Sequence, residues 1–108
     1  MIYLKTAEEI EKMRSGGKIL AQILRKVSQE IRSGVSAAKL DSLAEELIAE
    51  SGGIPSFKGY RGSKNDAPFP TTLCVSINDE IVHGPAASEK IIRTGDLVRV
   101  DGNRGQVT

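Results

Sequence analysis

The sequence predicts an α+β domain in which two amphipathic helices pack on one face of a mainly antiparallel sheet. Three observations predict it. Apolar residues recur at three- and four-residue spacing through the first half of the chain, as one buried face of a helix requires. Two short runs in the last third, Thr72–Ile77 and Leu97–Asp101, are filled with β-formers. Between these regions lies a stretch rich in Gly and Pro, Ile54 to Pro70. With 108 residues, 39% of them apolar and 27% charged, the chain suits one small globular domain with a modest core.

The chain opens on Ile2-Tyr3-Leu4, a short β-like lead-in. Thr6-Ala7-Glu8-Glu9 then matches a capping box, in which hydroxyl and carboxylate satisfy the first unpaired helix amides. A helix starts there. Its stripe is Ile10, Met13, Leu20, Ile23, Leu24, Val27 and Ile31, with Glu, Lys and Arg on the other side. Gly16-Gly17 interrupts it at a cost of about 1 kcal/mol per glycine relative to alanine. The pair marks either the close approach of another backbone or a tolerated flaw. Gly34 is expected to end the helix. Ser36 can cap a second one, whose apolar face is Leu40, Leu43, Ala44, Leu47 and Ile48 and which Ser51-Gly52-Gly53 closes.

The loop from Ile54 to Pro70 holds three of the four aromatic residues of the protein, Phe57, Tyr60 and Phe69. Aromatics gathered among stiff turns suggest walls of an apolar pocket. The competing reading is that they cap the edge of the core.

Three strands are expected after the loop. Thr72–Ile77, the turn Asn78-Asp79 and the extended run Glu80–His83 read as a hairpin; Thr94-Gly95-Asp96 turns the chain back into the sheet for Leu97–Asp101. Leu73, Val75, Ile77, Ile81, Val82, Leu97, Val98 and Val100 alternate between two faces, only one of which the helices can cover. An exposed apolar patch, and self-association through that uncovered sheet face, are therefore expected. The only histidine, His83, stands before a glycine, where a plain turn role competes with a site role. Cys74 reads as a small buried hydrophobe. Asp101 ends its strand and is either a turn residue or a reactive group presented by a rigid edge.

Fifteen basic and fourteen acidic residues leave a net charge of +1, so nothing argues for a nucleic-acid footprint or an anionic membrane surface. The lone cysteine forms no internal disulfide, and neither a leader nor a long apolar run is evident. A cytoplasmic location is the expectation.

Taken in order, Gly34-Val35-Ser36 with Leu40-Asp41, Pro55 to Tyr60, Phe69-Pro70, Leu73 to Gly84, and Gly95 to Asp101 resemble the type I methionine aminopeptidases from about Leu4 onward. The run from Phe69 to Gly84 is the most specific part. The resemblance implies a creatinase/aminopeptidase-like pita-bread fold, of which residues 1–108 would form a single partial domain, the N-terminal half of the catalytic domain. It also implies a metallopeptidase that removes the initiator methionine from nascent polypeptides when the next residue is small, with the ribosome as a candidate partner. Two divalent metal ions (Co, Mn, Fe, Zn or similar) would be held by two Asp, one His and two Glu. Hard oxygen ligands with one imidazole suit such ions, and paired metals activate water and polarise a carbonyl. Asp101 matches the first ligand Asp. His83 matches a histidine that contacts the substrate backbone and is not a ligand. Phe57, Tyr60, Phe69 and Cys74 match positions lining the methionine pocket, where a thioether suits aromatic faces and a thiol.

The sequence departs from that pattern after Asp101. Asp-x-Gly becomes Asp101-Gly102-Asn103, and the second Asp, the ligand His and both Glu find no counterpart. One carboxylate holds a divalent ion only weakly, so the 108-residue chain is expected to be inactive alone, as part of an enzyme. A non-catalytic peptide-binding or scaffold module of the same fold is the alternative.

Overall fold

The computed structural model describes residues 2–81 and 83–102. Helix α1, Ala7–Gln29, begins where the capping box puts it: Glu9 N–H donates to Thr6 Oγ1 at 3.1 Å, and Thr6 N–H donates to Glu9 Oε1 at 2.9 Å. Ile23 and Val27 carry its stripe into the core, whereas Ile10, Met13 and Ile19 nearer its start are exposed. The helix stops five residues short of Gly34. Ile31, counted as the last residue of the helical stripe, reaches the core from the turn that follows. Gly34 instead takes a φ of +93°, and its N–H donates to Ile92 O at 2.7 Å. Residues 2–4 form no strand and are exposed.

Helix α2, Ala37–Glu50, is capped by Ser36, whose Oγ accepts the Lys39 N–H at 3.2 Å. Leu40 and Ala44 face inward beside Ala37, and Asp41 is buried with them. The linker between the helices is stitched to a later segment through Ala37 N–H to Lys90 O at 2.8 Å and Ile92 N–H to Val35 O at 2.9 Å.

Strands β1, Cys74–Ile77, and β2, Val98–Asp101, form an antiparallel pair. The expected hairpin is a correction. Asn78 adopts a φ of +55°, and its side chain receives the Leu97 N–H while donating to Asp96 Oδ1, so the turn is fastened to the approach of β2. That leaves β2, not the run from Glu80, beside β1. Among the described residues the returning chain forms no second ladder with β1, and its backbone meets the strand at Gly84 and Pro85: Val75 N–H donates to Gly84 O at 2.8 Å, and Cys74 bridges Pro85. Ile81 is left exposed, and Val82 lies outside the described residues.

Opposed residues of an antiparallel pair share a face. Val75 opposite Val100, and Ile77 opposite Val98, therefore point to the helices and join the core with Leu73. Cys74 opposite Asp101, and Ser76 opposite Arg99, form the other face. The expected apolar patch is thus corrected for Leu73, Val75, Ile77, Val98 and Val100, which alternation puts on the covered side with a polar set on the other. Leu97 remains exposed at the end of the ladder. No helix among the described residues is long and apolar enough to cross a membrane.

Candidate active site

Three of the six expected site residues come together on the polar face of the sheet. Cys74 and Asp101 are direct cross-strand partners, Cys74 buried and Asp101 half-buried. His83 reaches the same place from the segment after β1, with Nδ1 4.0 Å from Cys74 Sγ, a weak sulfur contact. His83 holds a φ of +59°, which costs an L-residue energy and which histidine tolerates better than most. The turn aspartate alternative for Asp101 does not hold, because it is the last residue of β2 and is paired across the ladder.

The other three belong to the loop. Phe57 and Phe69 meet edge to face, ring centres 5.4 Å apart and planes at 77°. Gly59 N–H donates to Phe69 O at 2.7 Å and Phe69 N–H to Tyr60 O at 2.8 Å, so the loop closes on itself like a small hairpin. Lys58 ties it to α2 with both Glu45 oxygens at 3.0 Å. Phe57 and Phe69 are half-buried, while the Tyr60 ring is exposed. Leaving Phe69, the chain is pinned at Thr71, whose Oγ1 donates to Leu73 O at 2.7 Å and accepts the Ala86 N–H at 3.2 Å. A separate groove of about 610 Å³ runs between α1 and residues 51–56, over Thr72, Leu73 and Gly102, and is lined by none of the six.

Buried carboxylate support comes from Asp41, whose Oδ1 accepts the Leu73 N–H at 2.7 Å one residue before Cys74. Burial pushes its carboxyl above the ordinary aspartate value, against the lowering effect of bonds from the Leu73 and Thr72 amides. Ser76 and Glu80, which lie inside the Leu73–Gly84 run without a role read for them, and Lys90, which lies outside every motif, also converge under the His83 segment. Glu80 is held below the usual glutamate range by its hydrogen bond to Lys90 and by the Ile77 amide. The Lys90 contact with Val75 spans fifteen residues of chain, for which spacing offers no signal.

Among the described residues no group of three or more His, Cys, Asp or Glu side chains could hold a metal ion. Asp101 fits one hard oxygen ligand at the rigid end of a strand, and the described residues fit no more of a divalent site than that.

Two helices on one face of an antiparallel strand pair, with a strand-end carboxylate and a histidine against Cys74 on the other, define an α+β layer with a polar sheet face. The chain belongs to Metallopeptidase family M24, whose sequence pattern matches residues 11–102. It is similar to the methionine aminopeptidase of Clostridium acetobutylicum, 42% identical over 101 residues that make up 94% of this chain and 38% of that relative. Two solved methionine aminopeptidase structures share its fold, that of Thermotoga maritima at 40% identity and a TM-score of 0.83, and that of Rickettsia prowazekii at 30% and 0.84. They are matched over 93% and 94% of this chain, and in both cases over 38% of the solved one. The described residues thus carry part of the pita-bread fold, and the chain spans about 38% of the length of these relatives.

Proposed function

We propose that this chain is the N-terminal part of a methionine aminopeptidase catalytic domain, working in the cytoplasm on polypeptides that begin with Met and a small second residue as they leave the ribosome. The observation that carries the reading is the cross-strand pairing of Cys74 with Asp101 beside His83, on the face the helices leave open. In this reading Asp101 offers one carboxylate oxygen to a divalent metal (Co, Mn, Fe, Zn or similar). When bound, the metals supply an activated water and a polarised scissile carbonyl. His83 donates to the substrate backbone and steadies charge at the reacting carbonyl. Phe57 and Phe69 give an apolar wall for the thioether, with Tyr60 and Cys74 at its edge.

The test joins residues 1–102 to the remaining length of the Clostridium acetobutylicum relative and follows methionine release from Met-Ala-Ser with added Mn²⁺. The joined protein is expected to be active and the 108-residue chain inactive. Asp101→Asn should abolish release, and His83→Ala should slow it by roughly 10²–10³-fold. A joined protein that binds the peptide yet releases no methionine would instead support a non-catalytic peptide-binding module.

A further inference from the structure

His83 rides on a segment, Asn78 to Gly84, that leaves β1 and comes back to it. Its return is fastened by Val75 N–H to Gly84 O at 2.8 Å and by Gly84 N–H to the buried Ser76 Oγ at 3.2 Å. Its departure is fastened by Ile77 N–H to Glu80 Oε1 at 3.1 Å. Lys90 spans the two ends. Its Nζ lies 2.7 Å from Glu80 Oε2 and donates to Val75 O at 3.2 Å. The Lys90 side chain is only 18% exposed, less than any other ion-paired side chain among the described residues.

The ammonium is also packed against the residue that follows His83. A Cβ built on Gly84 would come within 3.0 Å of Lys90 Nζ and 2.7 Å of Val75 O, so Gly84 is pressed between strand and lysine. Lys90 is itself fixed from behind, since its carbonyl accepts the Ala37 N–H at the start of α2. A half-buried ion pair adds little net stability, because desolvation offsets much of its attraction. What a satisfied polar network does provide is a single geometry. A histidine with φ of +59° needs such a constraint, for its neighbours must over-determine the unfavourable backbone.

We propose that Lys90, acting through Glu80, is a positioning residue that holds the His83 imidazole beside Cys74, an inference resting on the reading of His83 as the group that meets substrate. The test is solution NMR on the full chain, reading the Overhauser contact between the His83 ring protons and the Cys74 β-protons. Lys90→Met removes the ammonium, and Glu80→Gln removes the ion pair while leaving an acceptor for the Ile77 N–H. Both are expected to lose the contact while the amide shifts of α1 and α2 stay in place. Leu43→Ala, which loosens the packing of α2 away from this network, should keep it. Retention of the contact in both charge variants overturns the proposal; so does its equal loss in Leu43→Ala, which would reduce Lys90 to general stability. Should His83→Ala leave methionine release by the joined protein unchanged, the catalytic reading falls while the NMR result on the clasp stands.

Discussion

The Asp41 carboxylate of α2 accepts the backbone N–H of Leu73 at 2.7 Å, tying the middle of a helix to the residue that leads into β1. Both groups are buried, so Asp41→Ala leaves amides without partners and is expected to cost about 1–3 kcal/mol in urea unfolding. Asp41→Asn keeps an acceptor and should cost less. The pH dependence has a definite sign. Because burial raises the Asp41 carboxyl, its contribution is fully present below the unfolded aspartate value of about 3.9 and is lost as pH rises through the higher folded value. The wild type should therefore lose ground to Asp41→Asn as pH rises through that window. A constant difference between the two would contradict the burial argument.

Gly17 and Gly84 should respond to alanine with opposite signs. Nothing lies within 4 Å of a Cβ on Gly17, which settles that glycine as a tolerated flaw in α1 and predicts a gain of about 0.5–1 kcal/mol from Gly17→Ala. Gly84→Ala meets backbone at 2.7 Å and cannot be relieved by moving a side-chain tip, so a loss of about 1–3 kcal/mol is expected. Urea midpoints of the two variants check both signs at once.

The Phe57–Phe69 edge-to-face pair makes a further prediction. A double-mutant cycle with Phe57→Leu and Phe69→Leu should show a coupling of about 0.5–1.5 kcal/mol, beyond the area each ring loses. Tyr60→Phe should be nearly neutral, because the exposed ring leaves only its backbone in the loop closure. Additive losses in the cycle would mean that the two rings cap the core separately.

Both helices were legible because Thr6 with Glu9, and Ser36, supply local start signals that no distant contact overrides. The end of α1 was not, since Ile31 satisfies the helical spacing from a turn. Two of the three expected strands were legible in β-formers, but the run from Glu80 forms none among the described residues, and strand partners were not legible. Thr72–Ile77 and Glu80–His83 look like a hairpin on sequence distance alone, and it takes the Asn78 bonds to Asp96 and Leu97 to bring β2 in instead. At the candidate site the residue types at Cys74, His83 and Asp101 were visible, whereas their meeting follows from a register no local pattern encodes. The pairing of Lys90 with Glu80 was invisible for the same reason.

Thr72 offers a last test at the floor of the groove beside α1. Its side chain is 3% exposed, and Oγ1 has no hydrogen-bond partner among the described residues, although its N–H supports Asp41. A buried hydroxyl without a partner is unfavourable by about 1–3 kcal/mol in proteins. Thr72→Val removes the hydroxyl, keeps the branched shape and leaves the backbone N–H bond intact, so it is expected to raise the urea midpoint by about 1 kcal/mol of stability. Thr72→Ser keeps the orphan oxygen and deletes the methyl, and should lower stability by about 1 kcal/mol. If Thr72→Val were the less stable of the two, Oγ1 would have to be bonded to an ordered water in the groove, and the hydroxyl would count as a built polar point there.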